Sequence, residues 1–139
     1  MIELDIAALA CANATAGQLA QLKVLCDEVE MLYTQGHDHI QKDVEFHSYI
    51  AKISGNMVVE RLIPVINTSV VVFANITYRR LMNETIETHR AIVNCIEKRD
   101  AVGAKCAMNM HLTYNRQAIM ELITEQRSRN KMKKNTSDV

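Results

Sequence analysis

Between residues 19 and 32 the apolar side chains Leu19, Leu22, Leu25, Cys26, Val29 and Leu32 recur at steps of three and four. That spacing lines them along one face of an α-helix, and little in the chain interrupts such a pattern. Only 4 glycines and 1 proline occur in 139 residues. Hydrophobic residues reach 48%, yet aromatics are 4% and Trp is absent. The core must therefore be built from Leu, Ile, Val, Met and Ala, which suit helix packing. The expected fold is all-α, an antiparallel bundle of about six helices. The length suits a single domain with a substantial core.

Turn and capping residues mark the boundaries. Glu3 to Ala14 reads as an Ala-rich helix with Leu4, Ala8 and Cys11 on one stripe. No capping residue precedes it, so its first turns are expected to be truncated. Thr15 with Gln18 forms a capping box for the second helix, which Gly36 ends. Asp38 is the expected cap of a third helix that stops at Ser54-Gly55, and Asn56 caps the next. Met57 to about Arg80 reads as one long central helix, kinked near Pro64. Asn83 or Thr85 opens a fifth helix. Asp100 caps a sixth, with Val102, Cys106, Met110, Tyr114, Ile119 and Leu122 along it. Residues 1–125 form the folded domain, and 126–139 are a basic, polar tail expected to be disordered.

Lys and Arg number 16, as do Asp and Glu, for a formal net charge of zero. The domain as a whole therefore does not attract nucleic acid or acidic membranes. The basic tail alone resembles a nucleic-acid contact, but a solvated end is the simpler reading. Cys11, Cys26, Cys95 and Cys106 form no Cys-x-x-Cys pair and read as reduced, buried thiols. No secretory signal or membrane span is legible, so a cytoplasmic location is expected.

The chemistry concentrates elsewhere. Asp43 and His47 stand four apart, one helical turn above each other beside an apolar stripe that includes Phe46 and Ile50. His89 and His111 lie on other helices, each at the border of a core face. One Asp and three His converging from three helices would make a metal site. Neutral imidazole is a strong ligand for borderline divalent ions, and a carboxylate compensates charge. Such a set suits Zn²⁺, with Ni²⁺, Co²⁺ or Mn²⁺ as alternatives, and leaves positions open for water or a small anion. His39 shares the stripe of Asp43 and His47 and competes as a ligand, but its place at the helix start favours solvent exposure. The plainer alternative is that these are ordinary core histidines.

A small hydrolase using a metal-bound water is the competing functional class. Glu45 falls on a different helical face from Asp43 and His47, which leaves no obvious general base. Glu84 and Glu87 favour a helix dipole more simply than acid–base catalysis. There is no Gly-rich phosphate loop, nucleophile motif or His-Glu-x-x-His.

Asp43-x-x-Phe46-His47 followed by Ser54-Gly55-Asn56 resembles one signature of the FCD domain. Thr88-His89-Arg90-Ala91-Ile92, then Arg99-Asp100, Ala104, Met108 and His111-Leu112, resembles the second. This is the C-terminal effector-binding domain of the FadR subfamily of GntR-type bacterial transcription regulators. The resemblance covers roughly residues 3–125 and implies a bundle of six or seven helices with an internal cavity. It implies a divalent metal on Asp43, His47, His89 and His111, a sugar acid or other small organic acid as effector, and a homodimer. It also implies a ligand sensor, not an enzyme. The family's winged helix-turn-helix does not precede residue 1, so operator binding is not expected of this chain itself. An effector-binding Arg on the family's first helix is missing as well. Asn75, Arg79 and Thr85 are the remaining candidates for the cavity wall.

Overall fold

The computed structural model describes residues 2–77 and 80–137. Among these are seven helices and no strand: α1 (Ile2–Asn13), α2 (Ala16–Thr34), α3 (Ile40–Ile53), α4 (Met57–Arg61), α5 (Ile63–Thr77), α6 (Met82–Glu97) and α7 (Ala101–Ser137). The expected all-α bundle is present.

Several boundaries follow the capping residues. The Thr15 hydroxyl accepts from Gln18 N–H, and the Gln18 side chain accepts from Thr15 N–H, closing a capping box. The Asp38 carboxylate accepts from Ile40 N–H at the start of α3. Asn56 accepts from Val58 and Val59, and Asp100 from Gly103. Gly36 and Gly55 take φ of +70° and +66°, left-handed values that let the chain turn after α2 and α3. α6 differs: it begins at Met82 behind Leu81 and has no side-chain cap, so neither Asn83 nor Thr85 opens it.

Three expectations need correction. The long central helix is two, because α4 ends at Arg61 with Leu62 as its C-cap and α5 restarts at Ile63. Pro64 cannot donate a backbone hydrogen bond, so it sits in the first turn of a new helix instead of inside an old one. Through residues 126–137 of the expected disordered tail the backbone is helical, as α7 continues to Ser137, and residues 138–139 lie outside those described. No glycine or proline follows Gly103, and Glu, Gln, Arg, Lys and Met are good helix formers. The buried face of α7 is also not the expected one. Val102, Cys106 and Met110 are exposed, whereas Ala104, Ala107, Met108, His111, Asn115 and Ala118 point inward. The small alanines let α7 lie close against α6 and α1, its principal neighbours.

Phe46, Leu22, Ile50, Ile53, Ile92 and Ile96 are the largest fully buried apolar side chains. α3 packs mainly on α5, α2 and α1, while α6 packs on α7 and α2. The inward faces of α3, α6 and α7 thus meet through side chains more than through close backbone approach. Histidines occupy that space. Cys11 and Cys26 are buried, but Cys95 is half-buried and Cys106 exposed, and all four thiols are free. No helix among the described residues is long and apolar enough to cross a membrane.

Candidate metal centre

Asp43 and His47 project from α3, His89 from α6 and His111 from α7. One nitrogen from each of His47, His89 and His111 lies within 4.8 Å of the others. The ring centroids are 5.1 Å apart for His47–His89 and His47–His111, and 4.8 Å for His89–His111. Asp43 borders this triad: its Oδ1 is 3.3 Å from His47 Nε2 and 3.4 Å from His89 Nε2. All four residues of the sequence-derived set therefore converge, three as a compact imidazole cluster and the carboxylate through two of them.

Most of the cluster is buried. His89 is 1% exposed, Asp43 5% and His111 6%. Phe46, fully buried, packs its ring against His89 at a centroid distance of 4.4 Å. Burial pushes His89 down to about 3 despite the pull of the Asp43 carboxylate. Burial also pushes His111 well below the ordinary imidazole range, reinforced by its neighbours His89 and His47. Both rings are thus neutral at pH 7 and keep a lone pair for a ligand bond. Burial pushes the Asp43 carboxyl upward, but the adjacent His47, His89 and His111 outweigh it and hold the group below the usual carboxylate range.

The polar atoms here lack ordinary partners. Asp43 Oδ1 and both ring nitrogens of His89 are buried without a hydrogen bond. The approaches of 3.3 and 3.4 Å are poorly directed for proton donation. Leaving such atoms unpaired costs about 1–3 kcal/mol each. A divalent cation would satisfy the carboxylate oxygen and the imidazole lone pairs together, and the donor set of neutral nitrogens plus one carboxylate suits zinc-like ions. The residues fit the group.

A cavity of about 40 Å³ adjoins the cluster, with Asp43, His47 and His111 in its wall. That is room for about three water-sized bodies. α5 supplies Ile66, Ser69, Val70, Phe73 and Thr77, and α7 supplies Asn115 one turn beyond His111. Thr85 lines the cavity as expected. Asn75 does not: it is exposed, and its amide donates to the Val71 carbonyl. Arg79 lies outside the described residues. His39 is a further correction, being fully buried and stacked on Tyr33 at 3.5 Å instead of facing solvent. The helix start that argued for exposure is covered by α2. Asn115 was not among the sequence-derived candidates, although its four-residue step from His111 places it on the same face of α7.

The FCD domain family matches residues 1–114, and the chain belongs to that family. Its relatives are regulators by name. It is 30% identical over 129 residues to the Uxu operon regulator of Haemophilus influenzae, covering 88% of this chain and 48% of that protein. It is 30% identical over 125 residues to the uncharacterized HTH-type transcriptional regulator YcbG of Bacillus subtilis, covering 89% and 52%. The chain thus spans about half the length of these relatives. Among solved structures it resembles a Streptococcus agalactiae GntR protein, with a TM-score of 0.72 and 35% identity over 83% of this chain and 53% of that one. The E. coli protein McbR/YncC shares the fold, with a TM-score of 0.68 and 21% identity over 89% and 59%.

Proposed function

We propose that this chain is the metal-dependent effector-sensing domain of a GntR-type transcriptional regulator. Asp43, His47, His89 and His111 hold one divalent ion, most simply Zn²⁺. The observation that carries this reading is the convergence of three imidazoles on a buried carboxylate, with Asp43 Oδ1 and both His89 ring nitrogens in no hydrogen bond among the described residues. Bound there, the ion supplies positive charge and open coordination positions for an anionic ligand.

That charge matters because the described part of the cavity wall carries no Lys or Arg. Among the described residues its charged members are Glu3 and Asp43, both acidic. A carboxylate effector entering without a cation would meet only like charge from these described side chains. Thr85, Ser69, Thr77 and Asn115 offer hydroxyls and an amide to orient the rest of the ligand. Glu45 is engaged by Lys42 at 2.9 Å and lies outside the cavity wall, which favours a sensor over a hydrolase. Binding one arrangement of the bundle more tightly shifts its population. A helix-turn-helix domain outside residues 1–139, in a cytoplasmic homodimer, would read that shift on DNA.

The test is a thermal-shift screen of sugar acids and dicarboxylates, with and without Zn²⁺. The expected result is stabilisation by at least one acid that disappears after chelation. Stabilisation that persists without metal contradicts the proposal.

A further inference from the structure

The Thr88 hydroxyl on α6 lies 2.9 Å from Nδ1 of His111 on α7. Both residues are buried, at 4% and 6% exposure, so water does not compete for this contact. A threonine hydroxyl has one proton to give. Two backbone carbonyls, which can only accept, are within its reach: Glu84 O at 2.7 Å and Thr85 O at 3.2 Å. With the proton directed to Glu84 O, the hydroxyl oxygen faces His111 as an acceptor. Nδ1 of His111 must then carry its ring proton, and Nε2 keeps the lone pair. The opposite tautomer would require Thr88 to donate to Nδ1, giving up the 2.7 Å bond and placing an N–H on Nε2.

We propose that Thr88 is a positioning residue that fixes His111 as the Nδ1–H tautomer and so reserves Nε2 for the metal. This rests on the metal-site reading above. The other two imidazoles conform, since His47 and His89 both turn Nε2 toward Asp43. An acceptor that holds the far N–H of a ligating histidine sets both its ring orientation and its tautomer.

The test compares the wild-type chain with Thr88→Val, which removes the hydroxyl at nearly constant shape, and Thr88→Ser, which retains it. Zn²⁺ affinity is measured by competition with a chromophoric chelator. Long-range ¹H–¹⁵N spectra of the metal-stripped wild type report the His111 tautomer independently of any metal. The expected results are an Nδ1–H signal for His111, a loss of about 10- to 100-fold in affinity for Thr88→Val, and near-wild-type affinity for Thr88→Ser. Equal affinity in T88V and wild type, or an Nε2–H signal, overturns the role of Thr88 and leaves the metal site standing. A wild type that binds no Zn²⁺ overturns the metal reading itself, and the proposal with it. Should T88V fail to fold, the wild-type tautomer and T88S decide.

Discussion

Asp43 on α3 and His89 on α6 bring a carboxylate oxygen and an imidazole nitrogen to 3.4 Å, both buried and neither in a hydrogen bond. The pair is poorly arranged for a proton but well arranged for a shared cation. Asp43→Asn keeps the shape and removes the charge. It should lower Zn²⁺ affinity at least tenfold, about 1.4 kcal/mol, as read by chelator competition. Unchanged affinity would show that Asp43 only borders the site.

His89 and His111 are buried in their neutral form, and the sign of the resulting pH dependence is fixed. With the folded pKa of His89 near 3 and an ordinary value of 6.5, the unfolded chain binds more protons between those limits. Stability is therefore complete above about pH 6.5 and is lost as pH falls. For His89 alone the loss by pH 5 is about 2 kcal/mol, and His111 adds to it in the same direction. Urea denaturation of the chelator-treated domain at pH 7 and pH 5 measures this. Equal stability at the two values contradicts the burial argument.

Arg99 has φ of +59°, the only positive value on a non-glycine residue among those described. Its guanidinium donates to the carbonyls of Cys11, at 2.8 Å, and Ala14 at the end of α1. Two substitutions separate these effects. Arg99→Ala loses the cap and keeps the strain, at a cost of about 1–3 kcal/mol. Arg99→Gly loses the same cap but relieves the backbone, so it should be the milder of the two by about 1 kcal/mol. Denaturant midpoints settle the order, and a milder Arg99→Ala is the contrary result.

The end of α7 projects with its side chains exposed from Ile123 to Thr136. A helix that buries no apolar face gains little from packing. Truncation after Arg129 keeps Glu125, which Arg80 grips through two hydrogen bonds. It should change stability by no more than about 0.5 kcal/mol. A large loss of thermal stability would reveal packing that the exposure of this segment does not suggest.

Most helix boundaries were legible because their causes are local, although the count was one short. Thr15, Asp38, Asn56 and Asp100 act within three residues of their own positions. The split of the central helix was half legible: Pro64 marked the disturbance, but whether the chain bends or breaks depends on what α3 and α5 offer each other. The inner face of α7 was not legible because Val102 and Met110 are more apolar than Ala104 and Ala107, while close helix approach selects the smaller side chains. The convergence of His89 and His111 on Asp43 and His47 could be posed from spacing as a hypothesis, and the family signatures sharpened it. The burial of His39 against Tyr33 and the grip of Thr88 on His111 could not. Both are contacts between helices whose relative rotation no local pattern encodes.

In the proposed site three helices share one ion. Elemental analysis of the purified chain, after metal reconstitution, beside His89→Ala and His111→Ala tests it most directly. The expected result is about one divalent metal per wild-type chain, as a four-donor site requires, with the metal lost or weakened in both variants. Absence of metal from the wild type, or full retention in both variants, would contradict it and return the histidines to the ordinary core.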